Sequence, residues 1–278
     1  MSDLIQIDLE NIIKSKNPKI LNWIPKFLIN WMKGFIHQEY INKILLIGEG
    51  KTGTDFIEVI FNELNINLTS VNIENIPKTG GCIIAANHPL GGLDGLALML
   101  AVSKVRKDFL FLANDILMNV KPLKDNFLAV NRTGKPDRKS LELIKKGYES
   151  GKVIVIFPSG FVSRKFNNIV RDLNWHKSVV KKSIEHNLPI IPTYIHGANS
   201  NRFYRISRFR KFFRIKVNIE MLTLPDEMFK QQGKTIEMTF GKSVTPDNFG
   251  YSTMWEDAQK LKEYVYQLKE NSEAIYKN

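Results

Sequence analysis

The chain has a single cysteine, Cys82, in 278 residues. One thiol excludes an intramolecular disulfide framework and a multi-cysteine metal site, and its place in the apolar run Cys82-Ile83-Ile84-Ala85-Ala86 reads as a small core residue in a reducing compartment. No uninterrupted apolar stretch approaches the roughly 20 residues that span a bilayer. The first residues, Met1-Ser2-Asp3-Leu4-Ile5-Gln6-Ile7-Asp8, have neither the basic region nor the continuous apolar region of a secretory signal. Any membrane contact is therefore expected to be peripheral. Internal repeats, low-complexity tracts and Gly/Ser- or Pro-rich linkers are absent too, so no clear domain boundary shows. Acidic residues are in deficit: 28 Asp and Glu against 40 Lys and Arg give a net charge of +12. That surplus favours anionic partners, among which anionic lipid, nucleic acid and an acidic carrier protein all qualify.

What remains is an ordinary globular composition, 43% hydrophobic and 24% charged. Short β-prone runs (Cys82 to Ala86, Phe109 to Ala113, Phe127 to Val130, Val153 to Phe157, Pro189 to Ile195) alternate with helical spacing over Leu93 to Val105, Pro136 to Ser150 and Val170 to Asn187. This predicts an α/β fold, a mostly parallel sheet flanked by helices. Ile215 to Leu222 and Thr235 to Phe240 are further strand candidates, and Thr253 to Tyr276 reads as a polar C-terminal helix. Ahead of the first strand, Leu4 to Ser15, Pro18 to Ile36, Tyr40 to Ile47 and Thr54 to Leu64 read as helices. The expected division is 1–78 as an N-terminal helical segment, 79–250 as the catalytic domain and 251–278 as a C-terminal helix.

Chemistry concentrates in Asn87-His88-Pro89-Leu90-Gly91-Gly92-Leu93-Asp94, directly behind the Cys82 to Ala86 run. Pro89 biases His88 away from helical dihedrals, and Gly91 with Gly92 lets the chain reverse. If Asp94 accepts a hydrogen bond from one imidazole nitrogen, it fixes the tautomer and leaves the other nitrogen as a general base. The plainer reading makes Asp94 a helix N-cap and His88 a turn residue.

Asn87-His88-Pro89 followed by Asp94 resembles the signature of the glycerolipid acyltransferases, the glycerol-3-phosphate and lysophosphatidic acid acyltransferase family. The family's usual spacing is four residues between His and Asp. Here there are five, which resembles a bacterial branch, often labelled hemolysin-like, that includes aminolipid acyltransferases of the glycine- and ornithine-lipid type. Phe127 to Gly134 resembles the family's second block, which implies that Arg132 holds an anionic headgroup; a surface arginine is the alternative. Val153 to Lys165 resembles the third block, with Gly160 in an exposed turn and Arg164 and Lys165 as candidate cations. Ser159 stands where the family has glutamate. It lacks the leading glycine of a Gly-x-Ser-x-Gly nucleophile elbow. Pro189 to Ile195 resembles the fourth block, a pocket wall, and His196 beyond it is a second imidazole that reads as structural. The substrate-binding set implied is Asn87, Arg132, Ser159, Gly160, Arg164 and Lys165, with His88 and Asp94 catalytic.

Two segments suit an anionic surface. Pro18 to Ile36 carries Trp23 and Trp31 among lysines, as a membrane-interface helix does, and as a helix packed on the domain also does. Arg202 to Lys216 interleaves aromatics with Arg205, Arg208, Arg210 and Lys211 and has no acidic residue. Lipid headgroups, an acyl carrier protein or single-stranded nucleic acid suit it, as does a solvated helix face.

The resemblance implies acyl transfer from acyl-carrier protein or acyl-CoA to the hydroxyl of a lyso-glycerolipid or related polar lipid, the alternative being N- or O-acylation in aminolipid synthesis of the glycine- or ornithine-lipid type. It implies no bound cofactor, no metal and no nucleic-acid partner, and a cytoplasmic protein at the inner face of the membrane. The rival of another class is a non-catalytic basic protein that binds membrane or nucleic acid.

Overall fold

The computed structural model describes residues 7–16, 23–114, 121–130, 138–215 and 218–277. It divides into two compact units, one of residues 1–66 and 199–233, the other of residues 67–198 and 234–278.

The second unit is built on a sheet of seven strands: β1 (Asn67–Val71), β2 (Cys82–Ala86), β3 (Phe109–Asn114), β4 (Phe127–Val130), β5 (Val153–Ile156), β8 (Ile190–Ile195) and β9 (Thr235–Phe240). Their order is β1-β9-β8-β2-β5-β3-β4. From β8 through β2, β5 and β3 to β4 the pairing is parallel; β9 runs antiparallel to β8, and β1 lies parallel to β9. The mostly parallel sheet is therefore as expected. Its central strands are near-continuous runs of aliphatic residues, buried throughout in β2, β5 and β8, because helices cover both faces.

The two-residue period of a strand assigns the faces. Ile83, Ala85, Ile154 and Ile156 join Val179 and Val180 of the helix Ser178–His186 and Ala258, Leu261 and Val265 of the helix Met254–Gln267 in one core. The helix Gly92–Ser103 is apolar on nearly every side, and its Gly95 packs against the ring of Phe111.

Several expectations are corrected. Asn67–Val71 is a strand of the sheet; with two aliphatic residues and no fully buried one, its sequence does not carry a strand pattern. Val170 to Asn187 is not one helix. A hairpin, β6 (Arg164–Phe166) and β7 (Ile169–Arg171), comes first, turning at Asn167 and Asn168, which both hold positive φ (45° and 65°) as a tight hairpin turn requires. The helix begins only at Ser178. Ile219–Thr223 is a 3-10 turn and not a strand. The helix Met254–Gln267 packs into the core of the sheet unit, and Asn199–Gly233 groups with the N-terminal helices.

The first unit contains the helices Leu9–Lys16, Lys26–Phe35, Gln38–Ile47, Gly53–Glu63, Asn201–Phe212 and Leu224–Phe229. Among the described residues no helix is long and apolar enough to cross a membrane.

One buried guanidinium gathers the amino ends of three neighbouring strands. Arg106 donates to Pro77 O (3.1 Å) and Gly80 O (2.5 Å) ahead of β2, to Gly151 O (3.2 Å) ahead of β5, and to both carboxylate oxygens of Asp108 (2.9 and 2.5 Å) ahead of β3. Arg106→Met keeps the apolar stem and strands these carbonyls, so it is expected to lower unfolding free energy by about 3 kcal/mol. A urea titration checks this; a loss within experimental error means the carbonyls find other donors.

Candidate active site

In parallel sheets the carboxyl ends of adjacent strands share one edge, where loops converge. β8, β2 and β5 end there in Ile195, Ala86 and Ile156, and the Asn87 to Asp94 turn leaves β2 at that edge. Asn87 begins it. The residue is buried; its Nδ2 donates to Ile195 O (2.9 Å), and its Oδ1 accepts from Ile195 N (2.6 Å). The side chain thus continues the β2–β8 ladder by one rung while the main chain turns away. Each end of the amide thereby makes one bond to the strand.

His88 follows, its imidazole stacked on Phe157 with ring centroids 4.0 Å apart. Its Nδ1 lies 2.9 Å from Oδ2 of Asp94, a side chain with no exposed surface. The same oxygen accepts the N–H groups of Leu90 (2.7 Å) and Gly91 (3.0 Å). Asp94 is the third residue of the helix Gly92–Ser103, where a carboxylate faces the positive end of the helix dipole and reaches back over the turn. The five-residue spacing closes because Gly91 adopts φ 79°, ψ −135°, a conformation a side chain resists.

Burial pushes the Asp94 carboxyl up, and its bonds from His88, Leu90 and Gly91 pull against that rise. Oδ1 has no hydrogen-bond partner among the described residues. His88 Nε2 is bonded to none of them either.

A second carboxylate, missed from sequence, touches this turn. Asp172, just past β7, accepts the main-chain N–H of His88 at Oδ1 (3.2 Å). It also receives Ser163 Oγ (2.5 Å) and Trp175 Nε1 (2.9 Å), and burial pushes its carboxyl up. No local motif marks it, because it falls inside Val170 to Asn187, whose spacing predicts a helix, whereas the structure has β7 end at Arg171 there.

Beside this network lies an open groove of about 400 Å³, lined by Ser159, Phe161, Phe166, Asp172, Leu173, Asn174 and His176. Ser159 is buried, and its hydroxyl donates to Phe161 O (2.7 Å), so it braces the turn. Gly160 supplies that turn with φ 63°, its N–H bonded to Phe157 O (2.9 Å). Lys165 is half-buried on β6. Arg164 is buried, and its Nη1 donates to Val162 O (2.6 Å). Arg132 lies outside the described residues. His196 lies 3.3 Å from Glu237 and is edge-on to Tyr194, a structural setting.

In the first unit, Trp23 and Trp31 are 88% and 58% exposed, with Phe27 at 75%. Trp31 stacks on Phe35 (5.3 Å), whose ring lies under the Arg202 guanidinium (4.8 Å). This joins the tryptophan helix to the basic helix Asn201–Phe212. On that helix Phe203, Tyr204 and Ser207 are buried, while Arg205, Arg208, Phe209, Lys211 and Phe212 are exposed. Arg210 is corrected: it lies 2.9 Å from the fully buried Glu220 and is not available to a surface.

Asn87→Ala tests the ladder role. It is expected to lower stability by about 2 kcal/mol, two hydrogen bonds' worth, while the Michaelis constants of both substrates stay unchanged. A rise in either constant without loss of stability returns Asn87 to the substrate.

A family model described as acyltransferase matches residues 11–274. Among curated proteins, a lyso-glycine lipid O-acyltransferase of Bacteroides thetaiotaomicron is 37% identical over 271 residues, covering 95% of this chain and 98% of that one. One of the same description from Phocaeicola vulgatus is 36% identical over 264 residues, covering 94% and 95%. Among solved structures, the 1-acyl-sn-glycerophosphate (LPA) acyltransferase PlsC from Thermotoga maritima matches with a TM-score of 0.48 at 16% identity, covering 91% of this chain and 99% of that one. With a family match that runs from residue 11 to 274 and relatives aligned over nearly their whole length, the chain belongs to this acyltransferase family and is an enzyme.

Proposed function

We propose that the enzyme moves a fatty acyl group from a thioester donor to the hydroxyl of a lyso-aminolipid of the glycine-lipid type, with His88 as general base. The observation that carries this reading is the 2.9 Å contact between His88 Nδ1 and the fully buried Asp94 Oδ2. Because Oδ2 also accepts two main-chain N–H groups, the carboxylate is the acceptor and Nδ1 the donor. The lone pair is then on Nε2.

Nε2 takes the acceptor's hydroxyl proton as the oxygen attacks the thioester carbonyl. The new C–O bond forms, the C–S bond breaks, and the imidazolium returns its proton to the departing thiolate. Asp94 holds the ring and stabilises its charged form, so no covalent acyl-enzyme is required.

The acceptor class is supported by the two relatives, both named as lyso-glycine lipid O-acyltransferases. A lyso-glycerophosphate acceptor is the second reading, favoured by the resemblance of the motif blocks to that branch. The groove suits an amphipathic molecule, with Phe161, Phe166 and Leu173 beside Asn174 and His176. Acyl-CoA and acyl-carrier protein are both anionic donors that a +12 chain attracts. The reading includes peripheral binding to an anionic bilayer at its cytoplasmic face through Trp23, Trp31, Arg205, Arg208 and Lys211.

Purified protein offered acyl-CoA or acyl-carrier protein with lyso-glycine lipid or lysophosphatidate tests donor and acceptor together. Ester formation on lyso-glycine lipid is expected; transfer to lysophosphatidate alone overturns the acceptor class. His88→Ala and Asp94→Asn are each expected to lower kcat by about 10²- to 10⁴-fold. Undiminished transfer by folded His88→Ala protein sinks the general base.

For the surface, Arg205→Ala with Arg208→Ala is expected to weaken binding to anionic vesicles by about 2 kcal/mol, roughly 30-fold. Co-sedimentation with neutral and anionic vesicles measures it, and equal binding by the variant and the parent removes these residues from the contact.

A further inference from the structure

We infer that Asp172 is a positioning residue for His88, holding the main chain that carries the imidazole; this rests on the reading of His88 as general base. Asp94 fixes one end of the ring. It does not fix the main chain from which the ring hangs. At His88 that main chain has left the ladder: β2 stops at Ala86, and the following residue, Pro89, has no N–H to share. Both polar main-chain groups of His88 need partners elsewhere.

They find them in one closed ring. The His88 N–H donates to Asp172 Oδ1 (3.2 Å), and the His88 carbonyl accepts from Ser163 N (2.7 Å). Ser163 Oγ in turn donates to the same Asp172 Oδ1 (2.5 Å). The two groups that grip His88 are thereby bonded to each other, across the β6–β7 hairpin that separates them in sequence.

Asp172 is held from its other side as well. Its Oδ2 accepts Trp175 Nε1 (2.9 Å), and its own N–H donates to Tyr266 OH (2.7 Å) on the helix Met254–Gln267. Trp175 is almost wholly buried in the sheet core. The main chain of the base is thus referenced to the core of the domain through a carboxylate that accepts from His88 N–H, Ser163 Oγ and Trp175 Nε1. Charge-assisted bonds of this kind are shorter and stronger than neutral ones, and they offset the cost of burying the carboxylate.

An amide at this position satisfies one side only. Its oxygen serves His88 and Ser163 while its NH₂ meets the Trp175 donor, or the reverse. Asp172→Asn is therefore a size-conserving probe of the grip.

The experiment is a double-mutant cycle between Asp172→Asn and His88→Ala, read as kcat and KM for acyl transfer to lyso-glycine lipid, with thermal melts as the folding control. Asp172→Asn is expected to lower kcat by about 10- to 100-fold, the scale of a small misplacement of a reacting group, with both KM values within about twofold. In the His88→Ala background it is expected to change the residual rate by less than about twofold, because its effect passes through the imidazole.

Ser163→Ala repeats the cycle with Asp172 intact and carries the test if the Asp172 variant does not fold. Additivity, with Asp172→Asn lowering the residual rate of His88→Ala by the same factor, overturns the inference in favour of a general structural role. A rise in KM at constant kcat overturns it in favour of substrate contact. Undiminished transfer by His88→Ala is a different result: it removes the general-base reading itself.

Discussion

A single carboxylate oxygen, Asp94 Oδ2, receives the imidazole of His88 and the main-chain N–H groups of Leu90 and Gly91. The turn, the start of the next helix and the tautomer of the histidine all depend on that convergence. A charge with no exposed surface is costly unless it is hydrogen-bonded, and here the donors come from the loop it organises. Losing the loop geometry exposes the cost, and losing the carboxylate leaves two N–H groups without partners.

That arrangement needs a rigid edge to stand on. The parallel triplet β8-β2-β5 provides it, with every residue of the three strands buried. Asn87 lengthens the β2–β8 ladder by one rung with its side chain, so the main chain is free to turn while Ile195 keeps its bonds. Phe157, just beyond β5, supplies the ring on which the imidazole lies. At the opposite edge Arg106 gathers the entrances of β2, β5 and β3. β2 is thus held at both ends by side chains that act in place of backbone.

The other unit sorts its charges by a different rule. On the helix Asn201–Phe212 one stripe is spent inward, with Phe203 and Tyr204 in the core and Arg210 on buried Glu220. The outward stripe keeps Arg205, Arg208, Phe209 and Phe212 exposed. Such a stripe of cations between aromatic rings is the surface proposed above to meet an anionic bilayer.

The sequence by itself determined the mostly parallel sheet, because aliphatic runs such as Val153 to Ile156 exclude a surface strand, and it marked His88 and Asp94 as a candidate pair, because Pro89, Gly91 and Gly92 write the turn locally; the 2.9 Å contact came from the structure. It did not determine β1, whose Asn67 to Val71 run has no core pattern and is a strand through its pairing with β9, more than 160 residues away. Nor did it separate Arg210 from Arg208, since only the position of Glu220 decides which arginine turns inward. Asp172 was invisible for the same reason. Its importance comes from His88, 84 residues earlier, and a hydrogen bond across such a separation leaves no periodic trace: local chemistry sets turns and faces, and only the packed chain decides which distant groups share a proton.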